Sequence, residues 1–254
     1  MKTRRSVTVT ALAILFMLGQ AGSAYAAEIH VLCSLGLKSV MEELAPQFER
    51  SSGHKVVLEF GLASAFKQQI EGGKDFDLAV LTPPMVDDLI KHGKMAADSR
   101  TVIARTGLGL MIRARGRKPD VASTDAFKRA LLGAKSIAFA KEGASGVAFV
   151  ATIERLGMSE TLKTKLKPTS TGEEVNDLVV RGEADFGVLP LSEILAVKGA
   201  ELGGMFPSDV QTFITMAGAV NPKAKQGAAA RELLKFLTSP ATLPTIKAKG
   251  MERS

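Results

Sequence analysis

Four short stretches of small and hydroxyl-bearing residues are where this sequence could do chemistry: Cys33-Ser34-Leu35-Gly36-Leu37-Lys38-Ser39, Gly61-Leu62-Ala63-Ser64, Gly143-Ala144-Ser145-Gly146 and Ser170-Thr171-Gly172. Each reads as a strand-to-helix junction. The first turn of a helix leaves backbone N–H groups without partners, which a Ser, Thr, Asp or Asn cap or a nearby acid ordinarily satisfies. Around Ala63 and Ser64 no acid occurs before Glu71. Four such neutral junctions brought together would cradle an anion, with N–H groups, hydroxyls and helix dipoles replacing its water. Taken singly, each is only a tight turn with Ser64 as a plain N-cap, and it is their convergence that points to binding.

Other residue patterns carry less. His30, His54 and His92 are far apart and lack the spacing of metal ligands, so no metal and no cofactor is expected. Gly143-Ala144-Ser145-Gly146-Val147 lacks the second glycine of a nucleophile elbow, and no acid and His follow it in the order a serine hydrolase needs. Glu173 and Glu174 sit where capping and dipole chemistry places acids. Cys33 closes an apolar strand and reads as a small core residue at the cleft edge. Lys38 is the one cation near the proposed cradle, able to pair a carboxylate. No residue is singled out as catalytic.

These junctions need elements to hold them. From residue 28 onward short apolar or β-branched runs alternate with helical patterns, as in an α/β chain with parallel strands. EIHVLC precedes a helix with apolar positions Leu37, Val40, Met41, Leu44 and Phe48, which Pro46 is expected to kink or end. KVVLEF precedes a helix from Phe66 to Ile70, and DLAVL runs into Thr82-Pro83-Pro84, a Thr cap with Pro just inside. TVIARTGLGLMIRAR and VQTFITMAGAV read as two extended crossings between lobes. Between them lie a helix near Thr124 to Leu132, the strand SIAFA, a helix after Ser145, a helix near Glu173 to Val180 and the strand ADFGVL. Two terminal helices are expected, opened by Asn221-Pro222 and Ser239-Pro240. The expected division is 1–26 as a leader, 27–106 as the first part of lobe one, 107–207 as lobe two, and 208–254 as a return strand and helices of lobe one. Their facing strand ends would form the cleft.

Lys2, Arg4 and Arg5 precede an apolar run from Val7 to Leu18 and then Ala24-Tyr25-Ala26, the pattern of a cleaved secretory signal. The mature chain would start near Ala27 in the periplasm, and no later run is apolar for long enough to span a membrane. Without those three cations the formal net charge falls from +7 to +4, a mild basic excess that suits an anionic ligand. With no Trp and no stripe of Lys and Arg, nucleic acid is excluded as a partner. Cys33 is the single cysteine, so the core must stand without an internal disulfide.

The stretches LKSVMEELAPQFERSSGHKVVLEFGLASAFKQQIEGGKDFDLAVL, EGASGVAFVATIERLG, VVRGEADFGVLPLSEI and ELLKFLTSPA resemble, in this order and spacing, the periplasmic solute-binding proteins of molybdate ABC transporters. The resemblance covers essentially the whole mature chain. It implies an α/β, two-lobed periplasmic binding protein fold with two crossing strands and a ligand cleft between the lobes. It further implies a monomer that closes on an anion and docks on a membrane permease. The ligand set so implied is Ser34, Gly36, Ala63 and Ser64 from the first lobe, with Lys38 close by, and Ser145, Val175 and Pro190 from the second. Gly36 stands where the family has a hydroxyl residue, Leu62 and Ala63 stand in its run of serines, and Pro190 stands where a Tyr often closes the site. The implied ligand is therefore a molybdate- or tungstate-like oxyanion or a carboxylate. The same scaffold also carries an enzyme of the aconitate isomerase kind, which makes an isomerase of a tricarboxylic acid the alternative. For that chemistry Lys38, Glu174 and Cys33 are the nearby groups.

Overall fold

The computed structural model describes residues 26–253, so the leader reading of 1–26 falls, Ala26 apart, outside the described residues. The first three βα units are β1 (Glu28–Ser34), α1 (Lys38–Ser52), β2 (Lys55–Gly61), α2 (Ala63–Glu71), β3 (Leu78–Leu81) and α3 (Pro83–Lys91). β1 pairs in parallel with β2 on one side, Ile29 opposite Val56, and with β3 on the other, Val31 opposite Leu78. Because side chains alternate along a strand, Ile29, Val31 and Cys33 meet Val40, Met41, Leu44 and Phe48 of α1. Leu32, Ala79 and Leu81 turn the other way, onto Phe66 and Ile70 of α2 and Val86 and Leu89 of α3. The sheet is covered on both faces, as parallel strands require.

β4 (Thr101–Arg113) is the crossing strand. Its first half pairs antiparallel with β9 (Phe213–Val220), Thr101 opposite Gly218, and β9 in turn pairs with β3. Its second half pairs with β7 (Phe186–Pro190), Leu108 opposite Pro190, and with β8 (Ala200–Met205). The second sheet continues from β7 through β5 (Ile137–Ala140) to β6 (Leu166–Thr169), all parallel. Its helices are α4 (Thr124–Gly133), α5 (Ala144–Arg155), α6 (Ser159–Leu162), α7 (Gly172–Val180) and α8 (Leu191–Ile194). After β9 the chain closes with α9 (Gly227–Leu237) and α10 (Leu243–Ala248). Arg105 and Glu252 form an isolated bridge and an ion pair at 2.7 Å, returning the C-terminus to the first half of β4.

Three local expectations are corrected. α1 runs unbroken through Pro46, which is exposed, so the hydrogen bond that proline cannot donate is lost on the solvent side. Asn221 does not open a helix. Its side chain accepts the Lys223 N–H at 2.9 Å in a turn, and α9 begins at Gly227. The second crossing is made by the segment between β8 and β9 rather than by a strand lying in both sheets. There the Gln211 amide accepts the Leu108 N–H at 2.8 Å and donates to the Leu108 carbonyl at 3.1 Å, standing in for a neighbouring strand. Among the described residues, no helix is long and apolar enough to cross a membrane.

Candidate functional site

β1, β3, β5 and β7 end at one place, and a cavity of about 330 Å³ opens there between the two sheets. Ser34, Gly36, Ala63, Ser64, Ser145 and Pro190 all line it, together with Thr82, Gly143, Ala144 and Gly172. Its apolar lining includes Leu62, Met85, Val147, Ile214 and Met216, and no Lys or Arg among the described residues lines it. Any charge bound here must be met by dipoles and hydrogen bonds.

Three helices begin on this cavity in the same chemical state. α2 starts after Leu62, α3 after Thr82 and α5 after Gly143, none with a side-chain cap and none with an acid in its first turn. The first-turn N–H groups of α2 and α5 therefore face the cavity without an intrahelical partner. In α3 the prolines at 83 and 84 remove two of those donors, and Thr82 contributes a hydroxyl that makes no cap bond. Gly146 lets α5 start against the end of β5, because a Cβ at that position would overlap the Ala140 carbonyl oxygen.

The fourth stretch behaves differently. Thr171 accepts the Glu174 N–H at 3.2 Å while the Glu174 carboxylate accepts the Ser170 N–H at 2.9 Å, a reciprocal cap that α2, α3 and α5 lack. Only Gly172 of that junction reaches the cavity. Val175 does not line it: the side chain is buried among Met111, Ala138 and Leu189, and its N–H donates to the Thr171 carbonyl at 3.4 Å. Lys38 is also displaced. A 3-10 turn over Leu35–Leu37 carries the chain past the cavity before α1 begins, so the Lys38 Nζ stands 5.6 Å from the centre of the Phe60 ring and lines an adjoining pocket.

Of the other candidates, Cys33 is fully buried, and burial pushes its thiol far above the usual range, which removes it as a nucleophile. His54 Nδ1 accepts the Ala27 N–H at 3.1 Å, while His30 and His92 pair with Glu28 and Asp88 at the surface. Glu193 is the residue the sequence reading missed. It sits in the first turn of α8, partly buried, in the wall shared by the cavity and the adjoining pocket. Burial raises its carboxyl to about 7, Glu173 adds to the rise, and Lys38 opposes it. Its only sequence signal is an acid three residues after Pro190, which reads as ordinary dipole chemistry. The position of α8 is set by Ser192, whose hydroxyl donates to the Gly36 carbonyl at 3.1 Å.

The family described as bacterial extracellular solute-binding protein matches residues 29–252. Over 235 residues the chain is 31% identical to the molybdate-binding protein ModA of Azotobacter vinelandii, covering 90% of this chain and 91% of that protein. Over 228 residues it is 29% identical to an aconitate isomerase from a Pseudomonas species, covering 87% and 86%. The solved structure of the Azotobacter vinelandii periplasmic molybdate-binding protein superposes with a TM-score of 0.76 at 20% identity, over 90% of this chain and 99% of that one. A match along almost the whole described chain, with strand ends converging on one cavity between two lobes, places the protein in a family: it belongs to the bacterial extracellular solute-binding proteins.

Proposed function

We propose that this protein is the periplasmic binding component of an ABC importer and that its cavity takes a small anion, either a molybdate- or tungstate-like oxyanion or a carboxylate. The observation that carries this reading is that α2, α3 and α5 open on one cavity with neither a side-chain cap nor a first-turn acid. An anion there accepts the first-turn N–H groups of α2 and α5 and the hydroxyls of Ser34, Ser64, Thr82 and Ser145, with the helix dipoles adding to the attraction. Gly36, Ala63 and Pro190 shape the walls. Contact with both lobes exists only when they are closed, so the anion shifts the population toward the closed form that a permease recognises. The lobes divide at residues 27–106, 107–207 and 208–254, and the exported chain acts as a monomer after its leader is cleaved.

Thermal unfolding of the exported protein with molybdate, tungstate, sulfate, phosphate, citrate and the two aconitate isomers tests the reading. An anion at about a thousand times its Kd adds about 4 kcal/mol, or roughly 8 to 16 °C in a protein of this size. If none of these anions raises the midpoint, the reading fails.

A second reading has two observations in its favour: the aconitate isomerase relative and the Glu193 carboxyl in the cavity wall. Moving a proton between carbons beside carboxylates needs a group that ionises near neutrality, and Glu193 meets that need. Interconversion of cis- and trans-aconitate by wild type, lost in Glu193→Gln, would establish it.

A further inference from the structure

A carboxyl group in the wall of an anion cavity demands an explanation. Glu193 follows Ser192, which the Gly36 carbonyl holds in place, and its Oε2 lies only 2.9 Å from where a Cβ on Gly172 would stand. It is thus pinned between α7 and the turn after β1, facing the cavity on one side and the adjoining pocket on the other. The charged groups around it are Lys38 and Glu42 of α1, Glu173 of α7 and Glu142 across the cavity. β7 adds only Leu189 and Pro190, and β4 and β8, which also pack on α8, contribute no residue to either pocket. Among the described residues, three carboxylates and one ammonium line the two pockets that it faces, and the ammonium belongs to the adjoining pocket rather than to the cavity.

We propose that the anion and one proton bind together, the proton on a Glu193 carboxyl oxygen, which then donates a hydrogen bond to the anion. The inference rests on the anion reading of this cavity. Two negative charges side by side repel strongly at the low local dielectric, and Lys38 offsets this only from the adjoining pocket. Removing one by protonation is inexpensive for a carboxyl whose ionised form burial already disfavours. The proton comes from solvent, no other bond changes, and release of the anion returns it. The carboxyl becomes a specificity-determining donor: it favours an anion that only accepts hydrogen bonds, and it makes affinity fall as pH rises.

Titration calorimetry of the exported protein with sulfate, molybdate and trans-aconitate, each almost fully ionised between about pH 7 and pH 8.5, tests this. If only the neutral form admits the anion, affinity falls about 15-fold across that range and binding at the upper end takes up one proton, seen as a buffer-dependent enthalpy. Glu193→Gln is expected to bind with the low-pH affinity at both values. Two further substitutions should move the midpoint of the wild-type profile in opposite directions, which a general disturbance of the fold would not do. Lys38→Met removes the charge that favours ionisation and moves it up, and Glu173→Gln removes the charge that opposes ionisation and moves it down. Anion binding that is equally tight at both pH values, or a pH dependence that survives in Glu193→Gln, overturns the coupling while leaving the anion site standing. Absence of binding by all three anions at both pH values overturns the anion reading and the coupling with it.

Discussion

α4 and α5 flank the same strand, β5, and begin in opposite ways. α4 is capped by Ser123, whose hydroxyl accepts the Ala126 N–H at 3.2 Å, and has Asp125 in its first turn. α5 begins after Gly143 with Ala144, Ser145 and Gly146, and has neither cap nor acid. Both helices begin with N–H groups that lack an intrahelical partner, and with the same dipole. The difference is location, since α4 starts away from the cavity and α5 starts on it. The start of α4 is met by its own side chains, whereas that of α5 leaves its first-turn N–H groups to the cavity.

The comparison can be broken by giving α5 what α4 already has. Ala144→Asp places a carboxylate at the first position of α5, inside the cavity lining. Anion affinity should fall by about 100-fold or more from charge repulsion, while the ligand-free midpoint holds or rises, because an acid in the first turn favours the helix. Calorimetry and thermal unfolding of the one variant read both effects. The reverse change, Ser123→Ala, should cost about 1 kcal/mol of stability, a midpoint about 2 to 4 °C lower, with anion affinity unaltered. Smallest is Ser145→Ala, which removes one hydroxyl from the open end. It is expected to weaken the anion by roughly fivefold, about 1 kcal/mol for a lost hydrogen bond, with stability nearly unchanged. A drop in stability for Ser145→Ala similar to that for Ser123→Ala would mean that the two helix starts are equivalent after all.

The parts of the fold that were legible in the sequence are those written in period and punctuation. The alternation in EIHVLC and KVVLEF, the stripe Val40, Met41, Leu44 and Phe48, and the long run over Thr101–Arg113 each map to an element. The cavity was legible through the same logic, since strand ends in an α/β sheet gather ligands and six of the expected residues meet there. Other features depended on distant partners. β6 (LKPT) and β8 (AELGGM) carry no β-branched apolar run and become strands by pairing with β5 and β4. Lys38 was misplaced because a single 3-10 turn carries the chain past the cavity before α1 begins, and such turns leave little trace in composition. Val175 and the reciprocal cap of Thr171 and Glu174 show that a small-residue junction can be closed locally. Glu193 was overlooked because its meaning comes from the neighbours that bury it, Gly172 and the turn at Gly36, which are separated from it by 21 and 157 positions.

The central claim is that an anion occupies the open first turns of α2 and α5. Amide hydrogen exchange of the exported protein, with and without whichever anion in the thermal panel raises the midpoint most, measures this at the groups concerned. The N–H groups of Ala63, Ser64, Ala144 and Ser145 should gain protection on binding well beyond the change at the start of α4. Protection that is uniform over both helix beginnings, or that appears only outside the cavity, would contradict the account.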